Sequence, residues 1–249
     1  MSGHSKWANI KHKKGAADIK KGKVFSKLAK EIMVAVKDGG SDADANPRLR
    51  TALAAAKAAN MPNVNIDRAI KKGAGELDGV TFEEIIYEGY GAGGVAVMVE
   101  CLTDNRNRTA GEVRMTFDRN QGNLASTGAV TWMFHRKSHV VVTGENADEE
   151  KLMDIVLDAG AEDIEIDEDM AEIWAPVEAF EDIVKALEAA GVETSEAAIV
   201  QHPENTVEIK DVAIAQQVLR LIDKLEDLDD VQSVTANFDI DTEILEQID

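Results

Sequence analysis

Nine lysines stand within the first 30 residues, Lys6, Lys11, Lys13, Lys14, Lys20, Lys21, Lys23, Lys27 and Lys30, against one acid, Asp18. Lysines at that density form a phosphate-tracking surface, because each can displace a counterion from a polyanion. Trp7 lies inside the cluster and supplies a ring on which an unpaired base could stack; Phe25 could add a second ring, although its place in an apolar stripe reads as core. A second cationic set is Asn105-Arg106-Asn107-Arg108-Thr109, at the expected start of a helix with Arg114 one or two turns further on. A helix N-terminus combined with arginine forks suits a phosphate. The same residues also read as a capped helix with ordinary surface arginines.

Catalytic chemistry finds little support. Cys101 ends the apolar run Val95–Val99 and Glu100, the place of a buried structural thiol and not of a nucleophile. His135 and His139 have H-x3-H spacing, but the intervening Arg136-Lys137-Ser138 supplies no general base and the segment reads as strand, so metalloprotease chemistry is excluded. His4 and His12 sit in the basic arm, where hydrogen bonding is the simpler role, and His202 precedes Pro203 in a turn. The glycine-rich Gly89–Gly94 opens a strand, whereas a nucleotide loop opens a helix, so a hairpin linker needing positive φ is expected. Asp163, Glu165, Asp167, Glu168 and Asp169 lack the glycine of a calcium loop and alternate along strands. No catalytic residue, metal site or cofactor is expected.

The chain has 249 residues and a net charge of -20, but the charge is divided. Residues 1–75 carry 16 Lys+Arg against 6 Asp+Glu, a net of +10; residues 76–249 carry 11 against 41, a net of -30. A basic end facing a polyanion explains this asymmetry, and the acidic remainder would confine contact to that end. With 44% hydrophobic residues the chain can form real cores, and its single Cys suits a reducing compartment. No apolar run reaches the roughly 20 residues of a membrane helix, and the N-terminus has neither a secretory stretch nor transit-peptide arginines. A cytoplasmic protein with no membrane partner and no small-molecule substrate is the expectation.

Hydrophobic periodicity places the elements that must carry these groups. Phe25, Leu28, Ala29, Ile32 and Val36 form a helical stripe ended by Asp38-Gly39-Gly40, with Lys20, Lys23, Lys27 and Lys30 on the opposite face. Asn46-Pro47 predicts a second helix start and Asn63 the cap of a third. Strands are predicted over 82–88, 94–101, 129–134 and 140–143, with a helix over 105–119. From Val140 onward the order is β-α-β-β-α-β, the split βαβ of ferredoxin-like domains. A strand over 207–210, a helix over 213–225 and a strand over 231–238 continue a second such unit. The fold class is therefore multidomain α+β, an N-terminal helical domain followed by two ferredoxin-like α/β domains, one inserted in the other. The expected limits are 1–78, 79–134 plus 205–249, and 135–204.

Five strings together resemble the YebC family, which includes the mitochondrial translational activator of cytochrome oxidase. They are the segment from Gly3 to Lys14, Asn46-Pro47-Arg48-Leu49-Arg50, Tyr87 to Gly94, Glu100 to Arg114, and Gln121-Gly122-Asn123-Leu124. The family usually has Pro where Ala92 stands and commonly Gly at Gln121. The resemblance implies three domains, one inserted in another, and a regulator of gene expression. Bacterial members are generally labelled DNA-binding transcriptional regulators; others act on the ribosome, relieving stalls at proline-rich stretches. The expected partner is thus nucleic acid, DNA or ribosomal RNA, met through the N-terminal basic region. An adaptor using its acidic domains is a third possibility. The helix after Pro47 is rich in Ala and offers few donors to base edges, which favours phosphate contact.

Overall fold

The structure is a computed structural model, and it describes residues 17–167 and 170–248. Three helices come first: α1 (Ala17–Gly39), α2 (Pro47–Ala58) and α3 (Asn63–Gly73). The predicted stripe closes a small core in which Ile32, Ala35 and Val36 of α1 meet Leu49, Ala52 and Ala56 of α2 and Ile66 and Ala69 of α3. Asn46 does double service here. Its Oδ1 accepts from Leu49 N at 3.0 Å to cap α2, while its Nδ2 donates to Ala35 O and Gly40 O at the end of α1. The close approach to Asn46 leaves no room for a Cβ at Gly39. Asn63 does not cap α3: it is the first helical residue, after Pro62, and no side chain bonds the free amides there.

The rest of the chain alternates strands and helices: β1 (Glu83–Tyr90), β2 (Ala96–Thr103), α4 (Arg106–Arg119), β3 (Asn123–Leu124), β4 (Phe134–Thr143), α5 (Glu149–Val156), β5 (Asp163–Asp167), β6 (Met170–Ala175), α6 (Phe180–Ala189), β7 (Thr194–Pro203), β8 (Val207–Ile209), α7 (Val212–Glu226), β9 (Val231–Ala236), β10 (Phe238–Ile240) and α8 (Thr242–Gln247). The first four-stranded sheet has the order β3-β1-β2-β9, drawing one strand from near the C-terminus. The second, β5-β6-β4-β7, is the antiparallel order of a ferredoxin-like unit, with Val140, Val142 and Ile173 packed on Leu152 of α5 and Ile183 and Leu187 of α6. Together with the helical N-terminal region this is the α+β class read from the sequence.

Several predicted strands depart from that reading. Val207–Ile209 leaves the sheets and pairs in parallel with β10 in a separate two-stranded ribbon. The segment 129–134 is not a strand; a single 3-10 turn, Thr131–Met133, leads into β4. The reason is Glu88. Its carboxylate, only 2% exposed, accepts from the backbone amides of Gly128 at 2.6 Å, Val130 at 2.7 Å and Thr131 at 2.9 Å, drawing away donors that a strand would give to a neighbour. Beneath the loop, Val130 and Phe134 pack on Ala96 and Met98 across the sheet face that α4 and α7 leave uncovered. Burial lifts the Glu88 carboxyl, but these amides outweigh it and hold the group below its ordinary value. Glu88→Gln should therefore cost about 1–3 kcal/mol, because even with its oxygen kept toward Val130 N and Thr131 N the amide NH2 would face the Gly128 N–H. The loss should be read above pH ~5, where the native carboxylate is ionised in both the folded and the unfolded state, and should shrink as pH falls below about 4. Urea unfolding at pH 7 and pH 3.5 checks both.

The glycine-rich connection behaves as predicted. Residues 91–95 turn β1 into β2, with Gly93 and Gly94 at φ 71° and 79°. Gln121 takes φ 61°, a left-handed position for which glycine is better suited.

Candidate nucleic-acid interface

The basic stripe on α1 does not face solvent along its whole length. Lys23 Nζ donates to Asp227 O at 2.8 Å, Lys27 Nζ to Glu226 O at 2.9 Å, and Lys30 Nζ to Asp229 O at 2.9 Å and Asp230 Oδ1 at 2.7 Å. Four-residue and three-residue spacing puts these ammonium groups in one row, and α7 ends where that row passes. Carbonyls at a helix C-terminus lack intrahelical donors and carry the negative end of its dipole, so Lys23 and Lys27 cap α7 from the helical domain, while Lys30 holds the turn just beyond it.

Asp230 is the centre of this contact. It is 3% exposed, and its Oδ2 accepts from Arg108 Nη2 at 2.6 Å, Thr109 Oγ1 at 2.7 Å and Thr103 Oγ1 at 3.1 Å. Leu102 N donates to its carbonyl at 2.8 Å. Thus the end of β2, the start of α4, the start of β9 and helix α1 meet on one carboxylate. Burial lifts that carboxyl, but hydrogen bonds from Lys30, Arg108 and Thr109 outweigh the lift and hold it well below the usual carboxylate range. Cys101 lies close by at the end of β2. Burial, with Asp230 second, pushes its thiol up to about 12, which suits a structural thiol.

The second cationic set divides in the same way. Asn105 caps α4, its Oδ1 accepting from Arg108 N at 3.1 Å. Arg108 bridges Asp104 at 2.7 Å and Asp230, and so belongs to the domain junction. Arg106 and Arg114 are exposed and form no ion pair among the described residues. Lys6, Trp7, Lys11, Lys13 and Lys14 lie outside the described residues, as does the side chain of Lys20. In the helical domain, Lys37, Lys57, Arg68, Lys71 and Lys72 are exposed and make no ion pair among the described residues. The structure therefore brings Lys23, Lys27, Lys30 and Arg108 together on acids of the chain itself, and leaves Arg106 and Arg114 apart from them.

The acidic run Glu226–Asp230 was not singled out in the sequence as a partner of the basic stripe. Its signal was present: four acids within five residues directly after an amphipathic helix, in a chain with an equally dense basic helix. Arg50 adds a further link across domains, pairing with Glu181 of α6 at 2.6 Å.

Of the histidines, His135 is exposed near Glu204, while His139 is buried and stacked on Trp174 with centroids 4.2 Å apart. His202 meets the same indole at 4.3 Å. Four residues apart on a strand, His135 and His139 do not converge. Among the described residues, no group of three or more His, Cys, Asp or Glu could hold a metal ion, and no helix is long and apolar enough to cross a membrane.

Family models match the chain in two blocks: the TACO1/YebC N-terminal domain over residues 5–76, and the TACO1/YebC second and third domain over residues 82–238. The chain belongs to the TACO1/YebC family. Full-length relatives include a "Probable transcriptional regulatory protein" of Syntrophobacter fumaroxidans, 55% identical, with 100% of each chain covered. Another of that name, from Geobacter sulfurreducens, is 56% identical with the same coverage. The crystal structure of a conserved hypothetical protein from Aquifex aeolicus matches at 50% identity and a TM-score of 0.82, over 92% of this chain and 94% of that one.

Within that family frame the two arginines should behave differently. Arg108→Ala removes one of several donors to Asp230 at a half-exposed position, and should cost about 1 kcal/mol of stability. Arg106→Ala should leave stability within about 0.5 kcal/mol, as expected of an exposed side chain that forms no ion pair among the described residues. Paired thermal melts of the single variants separate the two roles.

Proposed function

We propose that this YebC-family protein is a non-enzymatic nucleic-acid-binding regulator of gene expression that binds DNA in transcriptional control. The observation that carries the reading is the charge division, +10 over residues 1–75 against -30 over the remainder. The Lys20–Lys30 row, partly engaged by the chain's own acidic segment, follows in sequence the stretch in which Lys6, Lys11, Lys13 and Lys14 flank Trp7. Contact through that arm is dominated by phosphate, which positions without reading sequence. The acidic domains repel the same polyanion and keep it at one end. The names of the relatives support the transcriptional assignment.

A specific observation favours a second target, structured ribosomal RNA, in a ribosome-associated role. Of the exposed side chains of α2, Arg50 is paired with Glu181 and Lys57 is a single cation, while Thr51, Ala54, Ala55 and Ala58 give little purchase on base edges in a major groove. A shaped target needs no such reading. Crosslinking in cells, with sequencing of the nucleic acid recovered on the full-length protein, decides between them. Enrichment of promoter-proximal DNA supports transcriptional control, ribosomal RNA supports the second role, and recovery of neither overturns nucleic-acid binding.

A further inference from the structure

Residues 119–144 contain no Asp or Glu, although the region 76–249 to which they belong carries 41 acids. Of the cationic residues in these 26, Arg119 and Arg136 are exposed and form no ion pair among the described residues, while Lys137 pairs with Glu162 at 3.0 Å and His139 is buried. In their middle stands Trp132, 59% exposed. An isolated exposed apolar residue needs no explanation, but this one is mounted on a built platform. The Glu88 carboxylate holds the amides of Gly128, Val130 and Thr131; Tyr90 Oη donates to Ala129 O at 3.3 Å; and Val130 and Phe134 are sunk into the patch of Ala96 and Met98. The indole is pinned too, its Nε1 donating to the same Ala129 O at 3.1 Å. A large ring is thus presented to solvent with little freedom left to lose on binding, in the longest acid-free stretch of an acidic region, with Glu204 as the acid that meets it in space, its amide donating to Met133 O at 2.7 Å and its carboxylate 3.5 Å from His135 Nε2.

We infer that Trp132 is a second nucleic-acid contact, a stacking platform for an unpaired base of single-stranded or looped RNA, with Arg136 and Arg119 meeting the flanking phosphates. Arg119 closes α4, 13 residues before Trp132 with β3 between, and Arg136 follows Trp132 by four residues; both are exposed. Stacking tolerates any base, so this contact adds affinity for unpaired strands without adding a sequence code. It does not serve duplex DNA, whose bases are already stacked. The inference rests on the nucleic-acid reading above but not on the arm.

The test uses the full-length protein with Trp132→Ala, Trp132→Phe and, separately, Lys11, Lys13 and Lys14 replaced by Glu. Each is titrated by fluorescence anisotropy with an unstructured RNA of about 12 nucleotides and with a duplex DNA of the same length, and thermal melts confirm folding. Trp132→Ala should weaken RNA binding roughly tenfold, change duplex binding less than twofold, and leave the melt unchanged; Trp132→Phe should recover most of the loss. The lysine variant should weaken both ligands. RNA affinity within twofold of the parent in a folded Trp132→Ala protein, while the lysine variant still weakens binding, overturns the platform alone and leaves that face to a protein partner. Equal losses on RNA and duplex also overturn it. A parent protein that binds neither ligand overturns both readings.

Discussion

Replacing Asp230 with Ala should destabilise the protein by about 3–5 kcal/mol and loosen the helical domain from the sheet domain. The magnitude follows from what the carboxylate leaves behind. Lys30, whose side chain is 15% exposed, loses the anion facing it, and Thr103 and Thr109 lose a buried acceptor. Removing one partner of a buried charge network costs far more than the network's net contribution to folding, because the remaining groups stay desolvated. Asp230→Asn keeps an acceptor and should cost less, about 2 kcal/mol. The pH dependence has a definite sign. The folded carboxyl titrates well below its unfolded value of about 3.9, so its contribution is complete above that value and is lost as pH falls further toward the folded one. Urea midpoints across pH 2–7 should therefore converge for the parent and the Asp230→Asn protein at the acid end. A difference under about 1 kcal/mol at pH 7 for Asp230→Ala would show that the domains are held by other contacts. Proteolysis tests the loosening directly, since residues 74–82, between α3 and β1, should be cut faster in the variant.

The α+β class and the split βαβ order were legible because periods of 3.6 and 2 are local properties of the chain. So was the structural role of Cys101, since an apolar strand run has few other uses for a thiol. The segment 129–134 misled because Ala-Val-Thr-Trp-Met-Phe has the composition of a strand. What overrides that composition is Glu88, 40 residues away from Gly128 along the chain, and no local pattern reports it. The basic stripe of α1 was visible, but not its occupants. A lysine row is the same string whether it meets phosphate or the end of another helix; only tertiary structure brings Asp227, Asp229 and Asp230 to it. The cationic set at Arg106 and Arg108 shows the same limit at finer grain. Two residues apart on α4, one side chain reaches a buried carboxylate and the other has no ion pair. Their difference arises from where β9 begins.

Those internal pairings set the terms of the last prediction. Replacing Lys11, Lys13 and Lys14 with Glu should weaken binding to duplex DNA and structured RNA together, by roughly a hundredfold at low salt. Each phosphate contact contributes about -0.9 to the slope of log affinity against log salt on duplex DNA, so three lost contacts should flatten that slope by roughly 2.7. Any sequence preference should persist, because phosphate contacts position the protein without specifying bases. Lys23, Lys27 and Lys30 give the matched comparison. Their ammonium groups are bonded to the carbonyls of Asp227, Glu226 and Asp229 and to the Asp230 carboxylate, so a polyanion gains from them only by displacing acceptors already in place. Lys30→Ala should accordingly lower stability while changing the salt slope by less than about 0.5, in contrast to the arm lysines. Binding titrations at several salt concentrations, run beside unfolding curves for the same variants, read both quantities. If Lys30→Ala flattened the slope as much as an arm substitution, the α1 row would have to open and bind phosphate itself. If the triple variant kept its affinity, the charge division would have no bearing on nucleic acid.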